Sequence, residues 1–213
     1  MSQALEILFE DADLIAVEKP RGVLVESFEG GEESLADRVV ANVDSRARPL
    51  HRLDRETTGV VLFAKNARWN RELAGLFENK RIRKEYWAIV RGNWDKRIGR
   101  IDTNIAPIGE GRWQNSKSEG KPASTTFRLL KQAEGQAWVQ ALPKTGRTHQ
   151  IRLHCLEAGC PIVGEAMYAQ DGNAPLLLHA RSLSFVHPGD REKIEVTSEA
   201  PADWEKWLKR FDG

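Results

Sequence analysis

A chain of 213 residues, 40% hydrophobic and 30% charged, has enough apolar side chain for one substantial core and no low-complexity or disordered character. It lacks any run of about 18 apolar residues, which excludes a membrane-spanning helix, and its opening MSQALEILFEDADL is acidic where a secretory signal is basic and then apolar. Two cysteines, Cys155 and Cys160, are too few for a disulfide framework and fit a reducing compartment, so a cytoplasmic globular protein with no membrane partner is expected.

Along the chain, 5–25 alternates short apolar runs with turns at 11–13 and 20–22, which reads as strand, turn, strand. Ser34 opens a helix, with Asp37 three residues on as a variant of the capping box. GVVLFAK (59–65) reads as a buried strand. In 67–79, Trp69, Leu73, Leu76 and Phe77 recur at helical spacing. KEYWAIVR (84–91) is rich in β-formers, with Tyr86, Ala88 and Val90 on one face. The polar stretch 103–123 reads as a long connection, a length that often carries function. Strands are expected at 124–131 and 137–142. A helix over 148–158, capped by Thr148 and closed by Gly159, carries Ile151, Cys155 and Ala158 on one face. Two short strands at 176–179 and 182–186 and a final helix after Pro201, with Trp204, Trp207, Leu208 and Phe211 inward, complete the chain. Strands outnumber helices without strict βαβ alternation, so the expected class is α+β, one domain around a mixed sheet.

The net charge of +1 conceals an asymmetry: residues 1–40 carry three basic against ten acidic side chains, residues 189–213 five against seven, and 41–188 twenty-four against fourteen. Basic charge gathered in one stretch is the footprint of a polyanion binder, unless the acidic and basic faces pair with one another in the fold.

Two segments concentrate reactive side chains. In HRLDRETTG (51–59), Asp54 lies among His51, Arg52 and Arg55, a setting that favours an ionised carboxylate. Such a group acts as nucleophile or base, although the same residues also suit a structural knot of ion pairs. In PKTGRTHQIRLH (143–154), a glycine-containing turn feeds a helix N-terminus, and Arg147 is placed to meet an anion, either a phosphate or the Asp54 carboxylate. Cys155 falls on an apolar helix face and reads as a core thiol. The cysteines lack a second pair for zinc, so no metal is expected. Gly109-Glu110-Gly111 lacks the lysine and the strand–helix frame of a nucleotide loop.

With these segments in view, the chain resembles the pseudouridine synthases of the RluA type. The resemblance is carried by HRLDRETTGVVLFAK (51–65), KEYWAIVRG (84–92), GRTHQIRLH (146–154), PIVGEAMY (161–168), LLLHARSLSF (176–185) and the opening LFEDADLIAVEKPRGVLV (8–25), in the family's order. It implies the pseudouridine synthase fold and a cofactor-free isomerase that converts uridine in RNA to pseudouridine. Asp54 would be the catalytic aspartate, Tyr86 the tyrosine that packs against the target base, and Arg147 the arginine that pairs with the aspartate. Arg52 would fill the gap left by a flipped base, and Leu178 would line the uracil site. Thr58 departs from the serine more usual in the family but keeps the hydroxyl.

The basic run Lys80–Lys84, with Lys80 and Arg83 foremost, would then contact RNA phosphates. The family often carries a small accessory RNA-binding domain ahead of the catalytic one; with the first strand at about residue 5, none is expected here. A stem-loop of tRNA or ribosomal RNA and a monomeric enzyme are the corresponding expectations. The rival readings are a catalytically silent RNA-binding module of the same fold and a metal-dependent phosphoesterase built on His51, Asp54, His149 and His154.

Overall fold

The structure is a computed structural model, and it describes residues 5–28, 30–66, 69–79 and 81–212. The chain divides into two compact units: residues up to Arg83 with Ala180–Glu199, and Lys84–His179 with the residues from Ala200 onward. The fold is α+β, built mainly from antiparallel strand pairs with a few short helices, as the composition of elements suggests.

In the first unit, β1 (Ile7–Glu10) pairs with β2 (Leu14–Lys19), and β2 runs antiparallel to β4 (Thr58–Ala64) in an unbroken register from Leu14↔Ala64 to Lys19↔Gly59. A two-residue strand β3 (Arg48–Pro49) pairs antiparallel with Phe63 and Ala64 at the C-terminal end of β4. Every residue of β4 is buried, which is why its sequence is a continuous apolar run rather than an alternation. Alternate side chains Leu14, Ala16, Val60 and Leu62 join Leu73, Leu183, Phe185 and Val196 in one core cluster. Helix α1 (Leu35–Asn42) begins at Ser34 with the expected capping box: Ser34 Oγ accepts from Asp37 N at 3.2 Å and Asp37 Oδ2 accepts from Ser34 N at 2.8 Å. Helix α2 (Asn70–Glu78) brings Leu73, Leu76 and Phe77 onto the same core, as their spacing predicts.

In the second unit, β5 (Arg83–Arg91), β9 (Gln136–Pro143), β8 (Lys121–Ala133), β6 (Arg100–Gly109) and β7 (Arg112–Ser116) lie side by side in that order, joined by antiparallel ladders. The stretch 103–123 is therefore not a connection. It is the outer half of β6, a hairpin, β7 and the start of β8, and its Gly-Glu-Gly supplies the hairpin turn. Its polarity misleads because an outer hairpin leaves one face in water and so needs few apolar residues. Helix α3 (Gln150–Glu157) and the short α4 (Ala166–Ala169) follow. The cap of α3 is His149, in the left-handed region at φ 56°, and not Thr148. The closing strands also differ from expectation. Residues 178–186 form a single strand, β10 (Leu178–Val186), and β11 (Lys193–Thr197) pairs antiparallel with its second half. After Pro201 the chain makes three consecutive helical turns that bury Trp204, Trp207 and Phe211 in the core of the second unit, where Cys155 also lies. These tryptophans and the thiol are packing residues, as the sequence indicates. Among the described residues no helix is long and apolar enough to cross a membrane.

Candidate active site

In the first unit the HRLD segment enters β4 through a tight turn. The Thr57 N–H donates to the Asp54 carbonyl at 3.1 Å, which makes Asp54 the first residue of that turn. The turn is held from below by Lys19, whose side chain is wholly buried. Its ammonium donates to the carbonyls of Pro20 at 2.9 Å, Val23 at 2.7 Å and Arg55 at 2.8 Å, so all three of its donors are used. Burial pushes the Lys19 ammonium down to about 8, against the pull of the nearby Glu56 and Asp54 carboxylates. The Gly22 N–H adds a bond to the same Arg55 carbonyl at 2.9 Å.

Gly59 closes the turn at φ +113°, and a Cβ there would stand 2.2 Å from the Ala180 carbonyl oxygen, so no other residue fits. His51 is occupied structurally: its Nε2 accepts from the Leu62 N–H at 3.0 Å and its ring stacks on Phe77 at 4.8 Å. Leu53 points inward, Asp54 is half-buried and Arg52 is exposed. A carboxylate is thus presented at the rim of a rigid turn beside a fixed cation. Of the basic run, Arg83 is exposed at the start of β5, and Lys80 lies outside the described residues.

In the second unit Tyr86 sits on β5 opposite Ala141 and is half-buried. It packs against the core cluster to which Leu178 and Ile151 belong. Leu178 itself is buried, beside β5, where the Ile89 N–H donates to the neighbouring Leu177 carbonyl at 3.1 Å.

Arg147 lies in the turn before α3. Its Nε donates to the Pro122 carbonyl at 3.1 Å, and its backbone N–H donates to Gln150 Oε1 at 3.0 Å. Gln150 is the hub of a buried chain of hydrogen bonds whose directions are all fixed. Its Oε1 also accepts from the Thr145 hydroxyl at 2.7 Å, while its Nε2 donates to the Ser124 carbonyl at 3.0 Å and to Thr125 Oγ1 at 2.9 Å. His154 continues the chain, with Nδ1 2.9 Å from Thr125 Oγ1 and Nε2 3.0 Å from Thr103 Oγ1. The Thr103 hydroxyl proton is spent on Asn115 Oδ1 at 3.0 Å, so Thr103 accepts from His154. His154 is therefore the neutral tautomer protonated at Nε2, and Thr125 donates to its Nδ1. Burial pushes the His154 imidazole down to about 4, consistent with that neutral form.

The sequence alone did not single out Lys19 or Gln150, and it offered His154 only as a ligand in the metal-dependent rival reading. The available signal was a polar residue at a position otherwise reserved for core: Lys19 ends the apolar run LIAVEK, and Gln150 and His154 stand one helical turn apart on the buried side of α3. His149 Nδ1 lies 2.6 Å from the Tyr168 hydroxyl, which also accepts from the Trp113 N–H at 3.1 Å. Nδ1 of His149 and both ring nitrogens of His154 are thus engaged within their own unit. Among the described residues no group of three His, Cys, Asp or Glu side chains is gathered as a metal site.

A family model of RNA pseudouridylate synthases matches residues 13–157. The chain is 34% identical over 217 residues to ribosomal large subunit pseudouridine synthase C of Vibrio cholerae, covering 96% of this chain and 69% of that protein. It is 36% identical over 221 residues to the protein of the same name from Escherichia coli K12, covering 96% and 68%. Among solved structures, human RNA pseudouridylate synthase domain containing 1 superposes with a TM-score of 0.77 at 28% identity, covering 93% of this chain and 84% of that one. Human RNA pseudouridylate synthase domain containing 4 superposes with a TM-score of 0.80 over 97% and 92%; its 24% identity bears on the fold alone. With most of the length matched in the order of the motifs, this chain belongs to the RNA pseudouridylate synthase family and is an isomerase of uridine in RNA.

Proposed function

We propose that the RNA is large-subunit ribosomal RNA, that the uridine lies in a loop or other unpaired segment, and that Asp54 is the reacting carboxylate. The observation that carries the assignment of Asp54 is its place at the start of a turn pinned by Lys19 and Gly59, half-exposed and next to a buried cation. The substrate class is supported by the names of the curated relatives. The target must leave its stack before reaction, at a cost of a few kcal/mol that is smallest where the base is already unpaired.

The isomerisation breaks the C1′–N1 bond, turns the uracil and joins C1′ to C5. The C5 proton is lost and N1 gains one, so the reaction is redox-neutral and needs no cofactor. Asp54 can begin it by attack on C1′, by addition at C6 or by taking the C2′ proton. Tyr86 and Leu178 form the apolar wall against which the detached base is retained, with Tyr86 as acceptor of the C5 proton. Arg147 is the cation assigned to the reacting carboxylate, Arg52 takes the space of the flipped base, and Lys80 and Arg83 hold phosphates. A monomeric cytoplasmic enzyme is part of the same reading.

The test is incubation of the purified enzyme with RNA from a strain lacking it, followed by carbodiimide primer extension, with Asp54→Ala in parallel. Sites made by wild type and absent with Asp54→Ala are expected, in large-subunit RNA. Sites made equally by both would overturn the role of Asp54. RNA binding without any new site would favour a silent RNA-binding module.

A further inference from the structure

Lys84 stands two residues before Tyr86 on β5, so the two side chains leave the same face of the strand about 6.6 Å apart along it. Its side chain is half-buried, and the ammonium donates to the Thr145 carbonyl at 3.1 Å. Thr145 is itself fixed, its hydroxyl donating to Gln150 and accepting from the Ser124 N–H at 3.0 Å. Gly146, next in the turn, adds no side chain, and a Cβ there would stand 3.5 Å from the Lys84 nitrogen. Among the described residues the only charged group that acts on Lys84 is Arg147, which has the same sign. Burial first, and Arg147 second, push the ammonium down to about 8.

A half-buried ammonium that has, among the described residues, one acceptor and no carboxylate, with a second cation beside it, is poorly compensated. Lys19 makes the contrast: it is more deeply buried, but three carbonyls accept from it and two carboxylates attract it. Lys84 lacks what an anion would supply. Only one polyanion enters this enzyme's chemistry, and its phosphates alternate with bases at a spacing comparable to two residues of a strand.

We propose that Lys84 binds a phosphate of the RNA strand whose uridine faces Tyr86, with Arg147 raising the positive potential at that point. This rests on the reading of Tyr86 as the base-facing residue. The site would select for a phosphodiester backbone at a fixed offset from the base and would carry no sequence information of its own.

The test compares wild type with Lys84→Met on a protein-free large-subunit ribosomal RNA transcript. Affinity is read as a function of salt, KM and kcat from pseudouridine formation, and folding from the thermal midpoint. For Lys84→Met, affinity should fall severalfold, with the slope of log affinity against log salt shallower by about 0.7 for one single-strand phosphate contact. The thermal midpoint should stay level or rise, because a poorly solvated charge has been removed. An unchanged salt slope would overturn the proposal, and so would a shallower slope found only in a variant that has lost cooperative unfolding. Asp54→Ala on the same transcript separates the two readings. If wild type and Asp54→Ala leave the same pseudouridine pattern while Lys84→Met flattens the slope, the phosphate site stands and the catalytic assignment falls. If the enzyme is active through Asp54 and the slope is unmoved, only the phosphate site falls.

Discussion

Arg152 and Glu165 form a two-pronged ion pair in the interior of the second unit: Nε reaches Oε2 and Nη2 reaches Oε1, each at 2.7 Å. Neither residue faces water, with 8% and 0% of their side chains exposed. Glu165 also accepts from the backbone N–H groups of Met167 and Tyr168 at 3.1 and 3.2 Å, capping α4, and the Arg152 guanidinium lies over the Tyr168 ring at 5.2 Å. The pair thus ties α3, which carries the support for Arg147, to the segment after it.

Removing Glu165 takes from the buried Arg152 guanidinium the carboxylate it meets in two bonds of 2.7 Å. Glu165→Ala should therefore destabilise the protein by about 3–5 kcal/mol, read from urea unfolding. The double variant Arg152→Met, Glu165→Leu should recover a large part of that loss, since two apolar side chains fill the same space without a buried charge. A double variant no more stable than Glu165→Ala would show that the pair acts through its cap on α4 instead.

Lys19 gives a second prediction. In Lys19→Met the Pro20 and Val23 carbonyls lose the ammonium that donates to them, at about 1–3 kcal/mol each where burial keeps water away, while the Arg55 carbonyl keeps only the Gly22 N–H. Arg55 stands in the turn that begins at Asp54. Stability should fall by at least about 2 kcal/mol, and kcat should fall further than the folded fraction does while KM for RNA changes little. Equal loss of kcat and folded fraction would make Lys19 a purely structural support.

The buried His154 ties stability to acid. Its imidazole sits at about 4 in the folded protein, lowered by burial from the ordinary 6.5. Between those values the unfolded chain binds a proton that the folded protein refuses, so stability falls as pH drops through that window. The loss should total about 3 kcal/mol by pH 4. Urea unfolding at a series of pH values measures it. His154→Gln should be less stable at neutral pH and should show a shallower decline below pH 6.5.

Much of the fold was legible because local pattern and burial agree. The run GVVLFAK is apolar throughout because β4 is covered on both faces, and Ser34 with Asp37 spells a helix start that the hydrogen bonds confirm. Trp204, Trp207 and Phe211 keep helical spacing even though their turns alternate between tight and ordinary helix. The misreadings occur where local chemistry is shared by two structures. A polar glycine-containing stretch is equally a loop or a hairpin with one wet face, and only the pairing of Ile105 with Asn115 and with Lys121 tells them apart. Thr148 has the side chain of a helix cap, yet the left-handed backbone of His149, whose ring is held by Tyr168, begins the helix one residue later.

By itself the sequence determined the family, the α+β class and the short stretches in which Asp54, Tyr86 and Arg147 stand, because those motifs are contiguous along the chain and need no folding to be read. Tertiary structure alone decided what holds them. Lys19 meets Arg55 across 36 residues, Gln150 meets Thr125 across 25, and Gly59 is required by the approach of Ala180. The physical reason is that a buried polar group needs a partner wherever the fold can supply one, and its chemical type does not say from which part of the chain that partner will come.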